Sequence, residues 1–319
     1  MIHSIVSITI ASLVAGAPLC AHAANIAVEG DVSAGMEVEE LKNGQTAFAV
    51  HLRFSTDPSE DVRGVVAIGA DAQDQAVRLA EALIVREANG MRESLGLDKR
   101  RFGFEGTYDD SERLTLKKTL LHRKLEAIAY TGKELAAALH NGDYDISLGY
   151  ADTQKMSVIC HYGGGGDGTL NHWLLLQADR VNERQQTVGA YLAGVNHSSG
   201  RDQVEFEVAL GVDPVETAFY REYGNGRTVV FSGIKSVYRH GLDAFEGRLI
   251  PLVAASVVGH DVKDTRYNSF ALTLGTTYMF SEKLSLAAEV EGVAANSKAE
   301  LSRRSYDQSF ALFLARYIL

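Results

Sequence analysis

The sequence predicts an all-β fold, a transmembrane antiparallel β-barrel of about sixteen strands, with eighteen the upper count. Three observations carry this. Segments of about ten residues alternate apolar and polar side chains almost to the end of the chain, which is the period of strands and the length of membrane-spanning ones. The chain finishes on an apolar strand, SFALFLARYIL, with no turn or cap behind it. Beyond the N-terminus no run of about 18 residues lacks a charge, which excludes spanning helices.

The opening stretch MIHSIVSITIASLVAGAPLCAHA has an apolar core and the small-residue ending Ala21-His22-Ala23. This is the plan of a secretory signal peptide, residues 1–23, cleaved after Ala23, which leaves 24–319 for the barrel. Cleavage would remove Cys20 and leave Cys160 as the lone thiol, so neither an internal disulfide nor a cysteine zinc cluster is available. The formal charge of −10 argues against a nucleic-acid partner, which needs a basic field.

In IAVEGDVSAGMEVEE, Ile26, Val28, Val32, Ala34, Met36 and Val38 share one face, and Glu29, Asp31, Ser33, Glu37 and Glu39 share the other. Phe48, Val50, Leu52 and Phe54 repeat the pattern, as do Tyr144, Ile146, Leu148 and Tyr150. So do Val204, Phe206, Val208 and Leu210, then Phe270, Leu272 and Leu274, then Leu284, Leu286, Ala288 and Val290. Strands of a soluble sandwich are shorter, about five or six residues. QAVRLAEALIVREA sets Ala76, Leu79, Ala80, Leu83 and Ile84 at helical spacing. It is assigned to a strand because a gap in a lipid-embedded wall exposes unpaired edges; a plain strand then turns Glu81 to the side of Val77 and Leu79. The terminal strand is expected to pair with 26–39 and close the sheet. FSEKL and YADTQK read as tight turns at the end holding both termini, and VAANSKAELSRRS, HDVKDTRY and YGGGGDGT as longer loops at the other end.

With a signal peptide, the ending FALFLARYIL and the hairpin LTLGTTYMFSEKLSLAAEVE, whose Tyr278 and Phe280 suit a membrane rim, the chain resembles the bacterial outer-membrane porins. It departs from them at Leu319, where Phe is usual. AEALIVRE followed by LGLDKRRFGFEGTY has some similarity to substrate-specific and siderophore porins, with Asp98 where Gly is usual. The resemblance implies a passive or mildly selective channel for small hydrophilic solutes in the outer membrane of a Gram-negative bacterium. Its partners would be outer-membrane lipid and the barrel-assembly machinery that reads the C-terminal strand. The class leaves room for a homo-oligomer and implies no cofactor.

Other motifs were weighed against this. HYGGGGDGTL lacks the Lys of a phosphate loop and reads as a flexible loop. GVNHSSGRD resembles the His-x-Ser stretch of outer-membrane phospholipase A, which would make His197 a base and Ser199 a nucleophile. No Asn follows in DQVEFEVALGV to serve as the third member. A structural or adhesin barrel with a filled lumen is a further rival. Cys160 and His161 point to opposite faces of a strand and His172 lies beyond the glycines, so no metal site is expected. Cations crowd the stretch from Lys99 to Lys124. If it folds into the barrel, Arg101, Lys117 and Arg123 would face Asp109, Asp110 and Glu112 across the pore. The acids on the polar strand faces outnumber these cations and predict a weak cation preference.

Overall fold

The computed structural model describes residues 26–39, 43–56, 62–71, 76–98, 102–107, 113–128, 134–141, 144–152, 155–163, 167–181, 184–222, 224, 226–296 and 309–319. Residues 1–23, the expected signal peptide, and Arg101, Asp109, Asp110 and Glu112 lie outside the described residues.

The wall begins with β1 (Ile26–Glu39), β2 (Asn43–Thr56), β3 (Val62–Asp71), β4 (Ala76–Ala88) and β5 (Met91–Asp98). Two short helices follow, α1 (Phe104–Thr107) and α2 (Leu120–Ile128). The wall resumes with β6 (Glu134–Asn141), β7 (Tyr144–Asp152), β8 (Lys155–Tyr162), β9 (Leu170–Val181), β10 (Arg184–Ser199) and β11 (Asp202–Val212). After α3 (Pro214–Glu222) come β12 (Val230–His240), β13 (Leu242–Ala244), β14 (Gly247–Gly259), β15 (Asn268–Met279), β16 (Leu284–Ala295) and β17 (Phe310–Ile318). Each strand pairs antiparallel with its sequence neighbour, except that β12 and β13 each pair with β14. Because β12 and β13 both pair with β14, they form one interrupted strand, and the barrel has sixteen staves.

The seam closes as the sequence predicts: β17 runs along β1 from Asp31↔Ile318 to Glu39↔Phe310. A closed ring leaves no strand edge to satisfy, the condition lipid imposes. Outward positions are apolar and exposed, among them Phe206, Leu210, Leu272, Leu274 and Phe313. On β11 they alternate strictly with buried inward residues. At the rim, Tyr278 meets Phe280 edge-on at 4.7 Å and donates its hydroxyl proton to Phe245 O at 2.6 Å.

Two expectations are corrected. β4 is a strand, but not a plain one. Register shifts between Ala67↔Glu81 and Ile68↔Leu79, leaving Ala80 unmatched. The bulge puts Leu79 outside and Glu81 inside, so a period-two reading fails at that point only. The sorting of the connections also changes. Counting staves from β1 places the β7–β8 connection, within YADTQK, at the end away from the termini. The Gly-rich β8–β9 connection falls at the end with the termini. Length alone does not assign a connection to an end; the strand count does.

Deleting Tyr317–Leu319 removes the Val32↔Tyr317 and Leu284↔Tyr317 pairings and the Leu319 N–H bond to Gly30 O at 3.0 Å. The truncated protein should lose the folded band that resists detergent in unboiled gel samples.

Candidate functional site: an inward segment clamped to the barrel wall

The chain between β5 and β6 enters the barrel. In LLHRKLEAI, Leu120, Leu121, Leu125 and Ile128 recur at helical spacing, and α2 buries all four. Arg123 N–H closes the first turn on Thr119 O at 3.0 Å. With Phe102 and Phe104, these side chains form an apolar core against inward residues of the wall, chiefly Ile159, Trp173, Leu175, Leu192 and Phe231. Phe104 stands edge-on to Trp173 at 4.9 Å. Two glycines permit this approach. Gly103 adopts φ +74°, which suits glycine. At Gly233 a Cβ would sit 2.3 Å from Leu121 Cδ1, so a side chain there forces Leu121 to shift.

Charges lock the same interface. Lys235 Nζ, fully buried, donates to Glu105 Oε1 at 2.7 Å and to Glu205, and lies 2.7 Å from Glu207 Oε2. Glu207 also contacts His122 Nε2 at 2.6 Å and accepts the Phe104 N–H at 2.8 Å. Glu105 accepts the Thr119 N–H at 2.9 Å. Burial alone would raise the Glu105 carboxyl above its ordinary 4.5; Lys235 and then His122 outweigh that and hold it at about 2. Lys124 pairs with Asp213, both fully buried, and Asp213 in turn caps α3 through the Glu216 N–H at 2.9 Å. Nearby, burial reinforced by Lys124 pushes His260 down to about 3, which keeps this imidazole neutral beside Ser269.

The segment also straps the seam. Lys117 pairs with Glu37 of β1, and Arg123 with Glu291 of β16. Leu116 N–H donates to Glu289 Oε2 at 2.8 Å. Both cations lie over the Phe310 ring of β17, at 4.9 and 5.7 Å. Lys117 and Arg123 thus act as anchors of the inward segment. Several of the acids counted toward a cation preference are engaged by the segment. Glu37, Glu205, Glu207, Glu289 and Glu291 hold the segment instead of lining open water. Solvent reaches the opposite wall, where His51 and Arg53 of β2 face Asp31 and Glu81.

Sequence reading missed Lys235. Its signal was a cation set among Phe231, Gly233 and Val237 on one strand face, a setting that demands buried counter-charges.

The remaining candidates are placed as follows. His161 points inward, stacks on Trp173 at 4.8 Å and contacts Asn171 at 3.0 Å. His172 bonds Tyr191 at 2.6 Å on the outer face, and Cys160 also faces outward, so these three do not converge. His197 Nδ1 lies 2.9 Å from Asp167 Oδ2, an orienting carboxylate supplied by the Gly-rich loop. Among the described residues no hydrogen bond joins His197 to Ser199.

No protein-family model and no curated protein sequence matches the chain. Solved structures do. The anion-selective porin from Comamonas acidovorans aligns over 92% of this chain and 99% of its own, with TM-score 0.65 and 11% identity. OmpT of Vibrio cholerae in its trimer form aligns over 92% and 99%, with TM-score 0.65 and 11% identity. Salmonella typhi OmpF, in a complex with daunomycin, aligns over 92% and 97%, with TM-score 0.64 and 12% identity. The fold is that of the outer-membrane porins.

Two predictions follow from the clamp. Gly233→Val should overpack the α2 contact, at a cost of about 1–3 kcal/mol. Trp173, the single tryptophan, should then report the opening as a red-shifted, quencher-accessible emission. In acid, the depressed Glu105 contributes stability that is complete above 4.5 and is lost as pH falls toward about 2. Trp173 emission should therefore shift near the lower value; a transition centred at 4.5 would show that Glu105 is not clamped.

Proposed function

We propose that the protein is a porin-type channel of the Gram-negative outer membrane, passive or mildly selective, passing small hydrophilic solutes. One observation carries the reading: a sixteen-stave barrel, apolar outside, holds a loop folded inward that packs chiefly on β8 to β12 and narrows the lumen. Barrels of this size enclose water rather than a solid core. The signal peptide 1–23, insertion by the barrel-assembly machinery and assembly into a homo-oligomer belong to the same proposal. The trimer form of the similar Vibrio cholerae protein supports the last.

Protein purified from membranes should give stepwise conductance in planar bilayers. A silent bilayer would favour a filled-lumen structural barrel, which the apolar core between the inward segment and the wall would suit. The orienting contact between Asp167 and His197 keeps an esterase as a second reading. Phospholipid hydrolysis lost in both Ser199→Ala and His197→Ala would establish it; the channel reading expects no hydrolysis and unchanged conductance in both.

A further inference from the structure

Two ion pairs that border the open part of the lumen share an order: the carboxylate lies against the wall and the cation stands over it toward the water. Arg53 is 31% exposed and Glu81 7%; Lys117 is 30% and Glu37 16%. The reason is geometric. Asp and Glu are short and stay near the backbone, whereas Arg and Lys carry their charge on long stems that reach past them. A permeating ion therefore meets ammonium and guanidinium groups first, and the acids act from behind with their field partly cancelled.

Arg53 is also loosely held. Its guanidinium lies 3.6 Å from Glu81 Oε2, and that buried oxygen has no hydrogen-bond partner. The contact is ionic attraction without a formed hydrogen bond. The planar donors of Arg53 thus remain available to an anion in the channel, which they suit by shape as well as charge. Three carboxylates run against this order. Glu126, on the inward segment, is 33% exposed against 29% for its partner Lys118. Glu29 is exposed and stands opposite Arg53 in register. Glu87, 51% exposed, lies at the end of the barrel that holds the termini, beside Arg63 and Arg92.

We infer that the lumen favours small anions although the chain carries −10, with Arg53 and Lys117 as the specificity-determining side chains. This rests on the channel reading above and names its solute class. The test is the reversal potential of the full protein in a planar bilayer under a KCl gradient in dilute buffer, where screening is weakest. Chloride should permeate several-fold more readily than potassium, and inorganic phosphate should reduce the chloride current. Arg53→Gln and Lys117→Gln should each bring the ratio toward one, Arg53→Lys should retain most of it, and Glu29→Gln should raise it. Unboiled gel mobility identifies variants that have folded. Potassium preference in the parent protein, or a ratio untouched in folded Arg53→Gln and Lys117→Gln, overturns the inference while leaving the channel intact. Absence of any conductance overturns the channel reading and this inference with it.

Discussion

Lys235 decides where the inward segment lies. Its ammonium is removed from water at the centre of the barrel wall and is tolerable there only because Glu105, Glu205 and Glu207 surround it. One of those carboxylates comes from the segment and two from β11, so the segment cannot leave without parting Glu105 from Lys235. Breaking such a pair costs about 3–5 kcal/mol, more than an exposed pair contributes. The apolar core around Trp173 supplies contact area, and the ion cluster supplies the register in which α2 meets Gly233.

The same clamp reassigns the acidic faces of the strands. Carboxylates that an alternating sequence places inside a barrel have two uses there. They can face water and select ions, or they can receive backbone N–H groups and cations from an inward segment. Glu289 takes Leu116 N–H, Glu291 takes Arg123 and the Thr273 hydroxyl, and Glu207 takes Phe104 N–H with His122. These acids bind protein, so net charge is a poor guide to the field a solute meets.

Much of the wall was legible because lipid enforces alternation on both faces at once. The outward series Val204, Phe206, Val208, Leu210 and the closure of 310–318 on β1 follow from period two and from the need to pair every edge. The bulge at Ala80 was not legible, since one unmatched residue has no mark beyond a Glu on the wrong side. The inward helix was half legible. Cation crowding from Lys99 to Lys124 pointed to the lumen, but the partners of Lys117, Arg123 and Lys124 are Glu37 on β1, Glu291 on β16 and Asp213 before α3, far off in sequence. Pairings of that kind exist only once the barrel has closed.

The central claim is that the segment stays on the wall while the channel is open. Leu121 Cγ lies 3.5 Å from where a Cβ at Gly233 would sit, close enough for a Leu121→Cys, Gly233→Cys pair to form a disulfide, in a background with Cys160→Ser. Single-channel conductance of that variant, recorded oxidised and then reduced, tests the claim directly. The account predicts the same conductance in both states. A conductance that changes when the cross-link is made or broken would contradict it and show that the segment moves as solutes pass.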